Sequence, residues 1–148
     1  MKNLDKQNAK LKKYLEIRKE GGDIVGARVV VPVADDSGLT AQIAEHFGRA
    51  PYFAVVELDE NGNVSNVKTV PNVGEHAGGM GQTHDNIVQL KPNAIIVYDM
   101  GPRGLSAFQG AGVAVLRANA DTVVAVISAY KQDKLQELTE GCHHAHHR

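Results

Sequence analysis

The transition-metal chemistry open to this chain rests on seven histidines and one cysteine. Cys142, His143, His144, His146 and His147 stand together in the closing stretch GCHHAHHR. Imidazole and thiolate suit iron, copper, zinc or nickel better than magnesium or calcium. The tract is broken by Ala145 and ends in Arg148, unlike an uninterrupted oligohistidine, and short Cys/His tracts read as metal binding. Alone it is a generic site, for a simple divalent transition metal. His46, His76 and His84 fall in or near three loops further up the chain. One such histidine is ordinarily a surface or hydrogen-bonded residue; three near candidate ligand-facing loops, with the tail, point to a metal.

Other chemistries have less support. Asp35, Asp36 and Asp99 follow apolar runs and could together hold Mg²⁺ for phosphodiester hydrolysis, but Asp and Ser are also the normal residues of strand-ending turns. Such a nuclease would also need a basic substrate track, and the formal net charge is -1. The stretch GEHAGGMGQTHD contains Gly79-Met80-Gly81, but His84 stands where the dinucleotide fingerprint needs its third glycine, and no Gly-Lys-Ser/Thr follows. It reads equally as a surface loop or as a lid whose amides approach an anionic ligand. No serine sits in a nucleophile elbow. An enzyme is not the leading expectation.

The elements that must position these residues follow from hydrophobic pattern. Residues 1–24 form a Lys-rich amphipathic extension with Leu4, Leu11 and Leu15 at helical spacing, suited to docking on the domain or a partner subunit and not to a membrane. ARVVVPVA is a buried strand ending in DDSG, and LTAQIAEHFG a short helix or turn. YFAVVELD and VSNVKTV form a hairpin about Asn61-Gly62. THDNIVQLK is a helix with Thr83 as its N-cap; NAIIVYD and VAVLRA are two more buried strands around the helix LSAFQG. DTVVAVISAYKQDKLQEL is one closing helix capped by Asp121, with Val124, Ile127 and Leu135 inward. This order predicts an α/β domain over residues 25–139, with a mixed sheet covered by helices, followed by the tail 140–148. In such sheets ligands sit beyond the carboxyl ends of parallel strands, near EHFGRAP and DMGPRG.

A length of 148 residues, 43% apolar and 22% charged, is that of one globular domain. The single cysteine permits no internal disulfide, and the charged start lacks a signal-peptide run, so a cytoplasmic protein is expected, with neither nucleic acid nor membrane as partner.

EHFGRAPYFAVVELD, GEHAGGMGQ, DMGPRGLSAFQGAGVAVLRA and DTVVAVISAYKQDKL, in that order, resemble the dinitrogenase iron-molybdenum cofactor-binding family over about residues 27 to 138. The resemblance implies an RNase H-like, three-layer α/β/α domain with a five-stranded mixed sheet that binds a metal-sulfur cluster. It implies a non-catalytic carrier or scaffold for an iron-sulfur or iron-molybdenum-sulfur cluster, working with metallocluster assembly or acceptor proteins. The family's H-F-G histidine falls on His46; the glycine-rich loop with Gly78, Gly79, Met80 and Gly81, and the turn with Arg103, would border the same pocket. Arg49 and Arg103 would meet an anionic cluster or its organic acid, since guanidinium matches carboxylate geometry. The Cys142 tail would supply the soft ligand that the loop around His46 lacks, and the first helix would allow oligomers.

Overall fold

The computed structural model describes residues 26–72 and 80–139. The strands β1 (Ala27–Val33), β2 (Tyr52–Leu58), β3 (Val64–Pro71), β4 (Ala94–Val97) and β5 (Ala114–Arg117) form one sheet in the order β3-β2-β1-β4-β5. The helices are α1 (Met80–Gln89), α2 (Pro102–Gly110) and α3 (Val123–Lys131). β3, β2 and β1 are antiparallel neighbours, while β1, β4 and β5 run parallel. The sheet is therefore mixed, and the three parallel strands end together at Val33, Val97 and Arg117.

Consecutive β-branched residues produce this arrangement because successive side chains in a strand point to opposite faces. Val29, Val31 and Val33 pack with Val123, Val126 and Ile127 of α3. Val30, Ile95, Val97 and Val115 go to the other face, with Ile87 of α1 and Leu105 and Phe108 of α2. Each such side chain stabilises the fold by about 1.5–3 kcal/mol. At the expected hairpin, the Asp59 carboxylate accepts the amides of Asn61 and Asn63 at 2.9 Å each, and Gly62 takes φ +84°, a conformation that favours glycine.

Two local expectations are corrected. Thr83 is not a cap: α1 starts at Met80, and Thr83 is buried inside it with its hydroxyl 3.5 Å from Asn72 Oδ1. LTAQIAEHFG, expected as a short helix or turn, forms two short 3-10 turns, Gly38–Thr40 and Phe47–Arg49, with Gln42 and Ile43 extended between them and bridged to Thr122 and Val33.

The closing helix is shorter than its sequence pattern. It starts after Thr122 instead of Asp121 and ends at Lys131, because Asp133 adopts φ 56° and the amide of Lys134 donates to Ala129 O, a Schellman closure. Ile127 does face the core, but Val124 is 49% exposed while its neighbours Val123 and Val126 are buried. Leu135 is buried beyond the helix end. The chain then turns back along β5: Arg117 N donates to Gln136 O and Leu138 N to Val115 O, each at 2.8 Å. This return covers a sheet edge that would otherwise present free backbone groups.

The expected extension 1–24 and tail 140–148 lie outside the described residues. No helix among the described residues is long and apolar enough to cross a membrane.

Candidate functional site

The turn His46-Phe47-Gly48-Arg49 follows β1 and leads into β2. Phe47 is its anchor, 5% exposed, with its ring centroid 5.2 Å from Phe53 and 5.5 Å from Phe108. Burying the phenyl ring fixes the turn, so that His46 on one side and Arg49 on the other are left exposed. Asn72, at the end of β3, holds the same turn from behind: its side-chain amide donates to Ala50 O at 2.8 Å and Gly48 O at 3.3 Å. Its Oδ1 meets Thr83 of α1, so the two ends of the glycine-rich segment come together against the turn.

His84, one turn into α1, packs beneath Phe47. Its ring is 5.8 Å from Phe47 in a stacked arrangement and 5.2 Å from Phe108 edge to face. Gly104 in the first turn of α2 approaches it so closely that a Cβ there would lie 2.9 Å from His84 Nε2 and 3.1 Å from Met100 Sδ. The imidazole is 6% exposed and its Nε2 has no hydrogen-bond partner. Burial pushes its pKa below the ordinary 6.5, with the Asp85 charge opposing that shift.

An open cleft of about 640 Å³ lies at the shared carboxyl end of the parallel strands. His46, Glu45, Gln42 and Ile43 line it from the segment after β1, Tyr98 and Asp99 from the end of β4, and Asp121 from the loop after β5. This is where an open α/β sheet ordinarily takes its ligand. Tyr98 donates to Asp121 Oδ1 at 2.9 Å. Burial, then that hydrogen bond, then the negative charges of Asp121 and Glu45 raise the tyrosine pKa above 10. Asp99 pairs with Arg117 at 3.6 Å.

Among the described residues expected at a site, His46 lines this cleft, as does Asp99 of the candidate Mg²⁺ set. Arg49 ends the neighbouring turn, and Arg103 lies in the first turn of α2; both are exposed. Met80 and Gly81 open α1. Gly78, Gly79, His76, Cys142, His143, His144, His146 and His147 lie outside the described residues. Asp35, Asp36 and Asp99 do not form an Mg²⁺ site: Asp35 accepts the Ser37 amide at 2.9 Å within its own turn, and hydrogen bonds from Ser37 hold its pKa below the ordinary carboxylate value. Among the described residues no three His, Cys, Asp or Glu side chains gather to hold an ion.

Sequence reasoning pointed to EHFGRAP, which opens with Glu45, but missed Tyr98 and Asp121 as cleft residues. Tyr98 sits at the end of an apolar strand and reads as core, and Asp121 reads as a helix cap. Their common position past the ends of parallel strands was the available signal.

Comparison with known proteins adds to this geometry. The sequence model of the family described as "Dinitrogenase iron-molybdenum cofactor" matches residues 27–133. An uncharacterized protein of Methanocaldococcus jannaschii is 32% identical over 99 residues, 66% of this chain and 83% of the relative. A Thermotoga protein described as "a putative NifB protein", solved by NMR, is similar with a TM-score of 0.64 and 29% identity, over 78% of this chain and 97% of its own. The apo orange protein of Desulfovibrio gigas has a TM-score of 0.66 and covers 80% of this chain and 98% of its own; at 19% identity it speaks to the fold alone.

Proposed function

Since the chain belongs to the dinitrogenase iron-molybdenum cofactor family, we propose that it is a non-catalytic carrier or scaffold for an iron-sulfur or iron-molybdenum-sulfur cluster. The observation that carries this reading is His46: an exposed imidazole at the rim of the cleft, held there by the buried ring of Phe47. Among the described residues no three-ligand group surrounds it, and such a histidine suits a preformed cluster that brings its own sulfides better than a naked ion.

The cleft's own carboxylates would repel an anionic cluster, so Arg49 and Arg103 are assigned to supply the positive charge. α2 begins at Pro102 after the N-cap Gly101 with no side-chain cap, and since Pro102 has no N–H, Arg103 carries the first amide of the helix that could face an anion. Gly78, Gly79, Met80 and Gly81 are assigned to border the cluster through their backbone. Cys142, His143, His144, His146 and His147 are assigned as an auxiliary arm giving the thiolate and imidazoles that the turn lacks. In this reading residues 1–24 are a separate helical extension that can join subunits, 25–139 an RNase H-like three-layer α/β/α domain, and 140–148 the arm. The two apolar clusters on opposite sheet faces support the three layers. The partners are cytoplasmic metallocluster assembly or acceptor proteins.

Anaerobic reconstitution with iron, sulfide and molybdate tests this. A visible charge-transfer band in the wild type that is lost in His46→Ala supports the site. No band in the wild type overturns the carrier reading, and an unchanged band in His46→Ala overturns the anchor. If truncation after Gly141 removes all bound metal while His46→Ala removes none, a divalent-metal module working through its tail replaces it.

A further inference from the structure

His84 is not explained by packing alone. A buried imidazole whose Nε2 lacks a partner is destabilising relative to a satisfied group, and an apolar side chain would fill the same space without that cost. It also stands where three separate segments meet: Phe47 of the H-F-G turn, Gly104 and Phe108 of α2, and α1 itself. Those segments carry His46, Arg103 and the end of the glycine-rich stretch.

We propose that His84 is a protonation-sensitive positioning residue: uncharged, it clamps the H-F-G turn, α1 and α2 into the cargo-holding arrangement, and on gaining a proton it releases them. The inference deepens the carrier reading by giving the same site a release step under mild acid.

The geometry leaves the Nε2 proton of a cation without solvent or partner in the closed state. Phenyl rings lie on two sides and Gly104 with Met100 on a third. The charged groups on the elements packed around it are Asp85 on α1, Glu45, His46 and Arg49 on and beside the turn, Asp99 before α2, and Arg103 in it. Asp85, Glu45, His46, Arg49 and Arg103 are all exposed, and Asp99 pairs with Arg117. None forms an ion pair with His84 that would shelter its charge. Since the folded state disfavours the charged form, protonation is linked to opening: the hold is complete above about 6.5 and weakens as pH falls below it.

Hydrogen exchange of α1 amides in the full-length, cargo-free protein, corrected for intrinsic rates, is measured from pH 7.5 to 5.0. The expected result is a loss of protection in the wild type as pH falls, absent in both His84→Phe, which keeps an aromatic ring, and His84→Gln, which keeps a polar end without a charge. A flat wild-type profile, or an acid response that persists in both variants, overturns the proposal. His46→Ala should lose the cluster yet keep the acid opening of α1; loss of both would overturn His84 as the sensor. In cluster-loaded protein, release of the visible band over the same pH window in the wild type but not in His84→Gln completes the case. If no cluster binds at any pH, the carrier reading falls, and the exchange profiles alone decide whether His84 is the sensor.

Discussion

All three phenylalanines of the chain lie on one face of the sheet and none on the other. The face under α3 is built from Val, Ile, Leu and Ala, with Tyr52, Tyr98 and Tyr130 only at its margins. The opposite face gathers Phe47, Phe53 and Phe108 around His84. Aliphatic side chains fill space without directional preference, whereas rings prefer tilted or edge-to-face contacts and so fix relative orientation. The aliphatic face thus holds the fold together, and the aromatic face also aims a loop.

The comparison breaks first at Phe108. Phe108→Ala empties a fully buried position that touches both Phe47 and His84, and should cost about 3–5 kcal/mol. Val126→Ala, equally buried on the other face, should cost about 2 kcal/mol. Urea unfolding followed by far-ultraviolet circular dichroism gives both values. Equal losses, although Phe108→Ala removes more atoms, would mean that the ring contacts add nothing to stability.

Gly104 sharpens the same contrast at smaller scale. A Cβ there would come within 3.1 Å of Met100 and His84, so Gly104→Ala should destabilise by about 1–3 kcal/mol despite alanine's better helix propensity. Gly101, three residues earlier, has nothing within 4 Å of a Cβ and an ordinary φ of -68°; Gly101→Ala should stay within about 0.5 kcal/mol of the wild type. Thermal melting of the two variants side by side checks this. A benign Gly104→Ala would show that the packing around His84 is loose.

The strands were legible because their signal is dense: β1 and β4 are nearly unbroken β-branched runs, and Asn61-Gly62 marks the hairpin. Helix ends were less so. The apolar period continues through Leu135, and nothing in Asp133 announces the left-handed conformation that stops α3 at Lys131. Val124 was assigned inward because Val123, Val124 and Val126 are chemically alike, and only packing against the sheet decides which face is buried. His46 was legible from its loop and from a family motif. Tyr98 with Asp121 was not, because that contact joins residues 23 apart across two strand ends. His84 reads in the sequence as one of several loop histidines; its burial between two rings depends on tertiary contacts no local pattern encodes.

Each face also carries one perturbed ring, and the two respond to opposite ends of the pH scale. His84, on the aromatic face, has its pKa lowered, so the unfolded chain takes the proton first and stability is lost as pH falls below about 6.5. Tyr98, at the margin of the aliphatic face, has its pKa raised, so the unfolded chain loses its proton first and stability declines only as pH rises above 10. Urea midpoints measured from pH 5 to 11 should therefore fall on both flanks. His84→Phe should flatten the acid flank while leaving the alkaline one, and Tyr98→Phe should do the reverse. The alkaline effect should be the smaller, because Tyr98 is partly exposed and its interactions with Asp121 and Glu45 are screened by water. If Tyr98→Phe altered the acid flank as well, the cleft and the aromatic face would be coupled through His46 and Phe47, and the division of labour between the two faces would no longer hold.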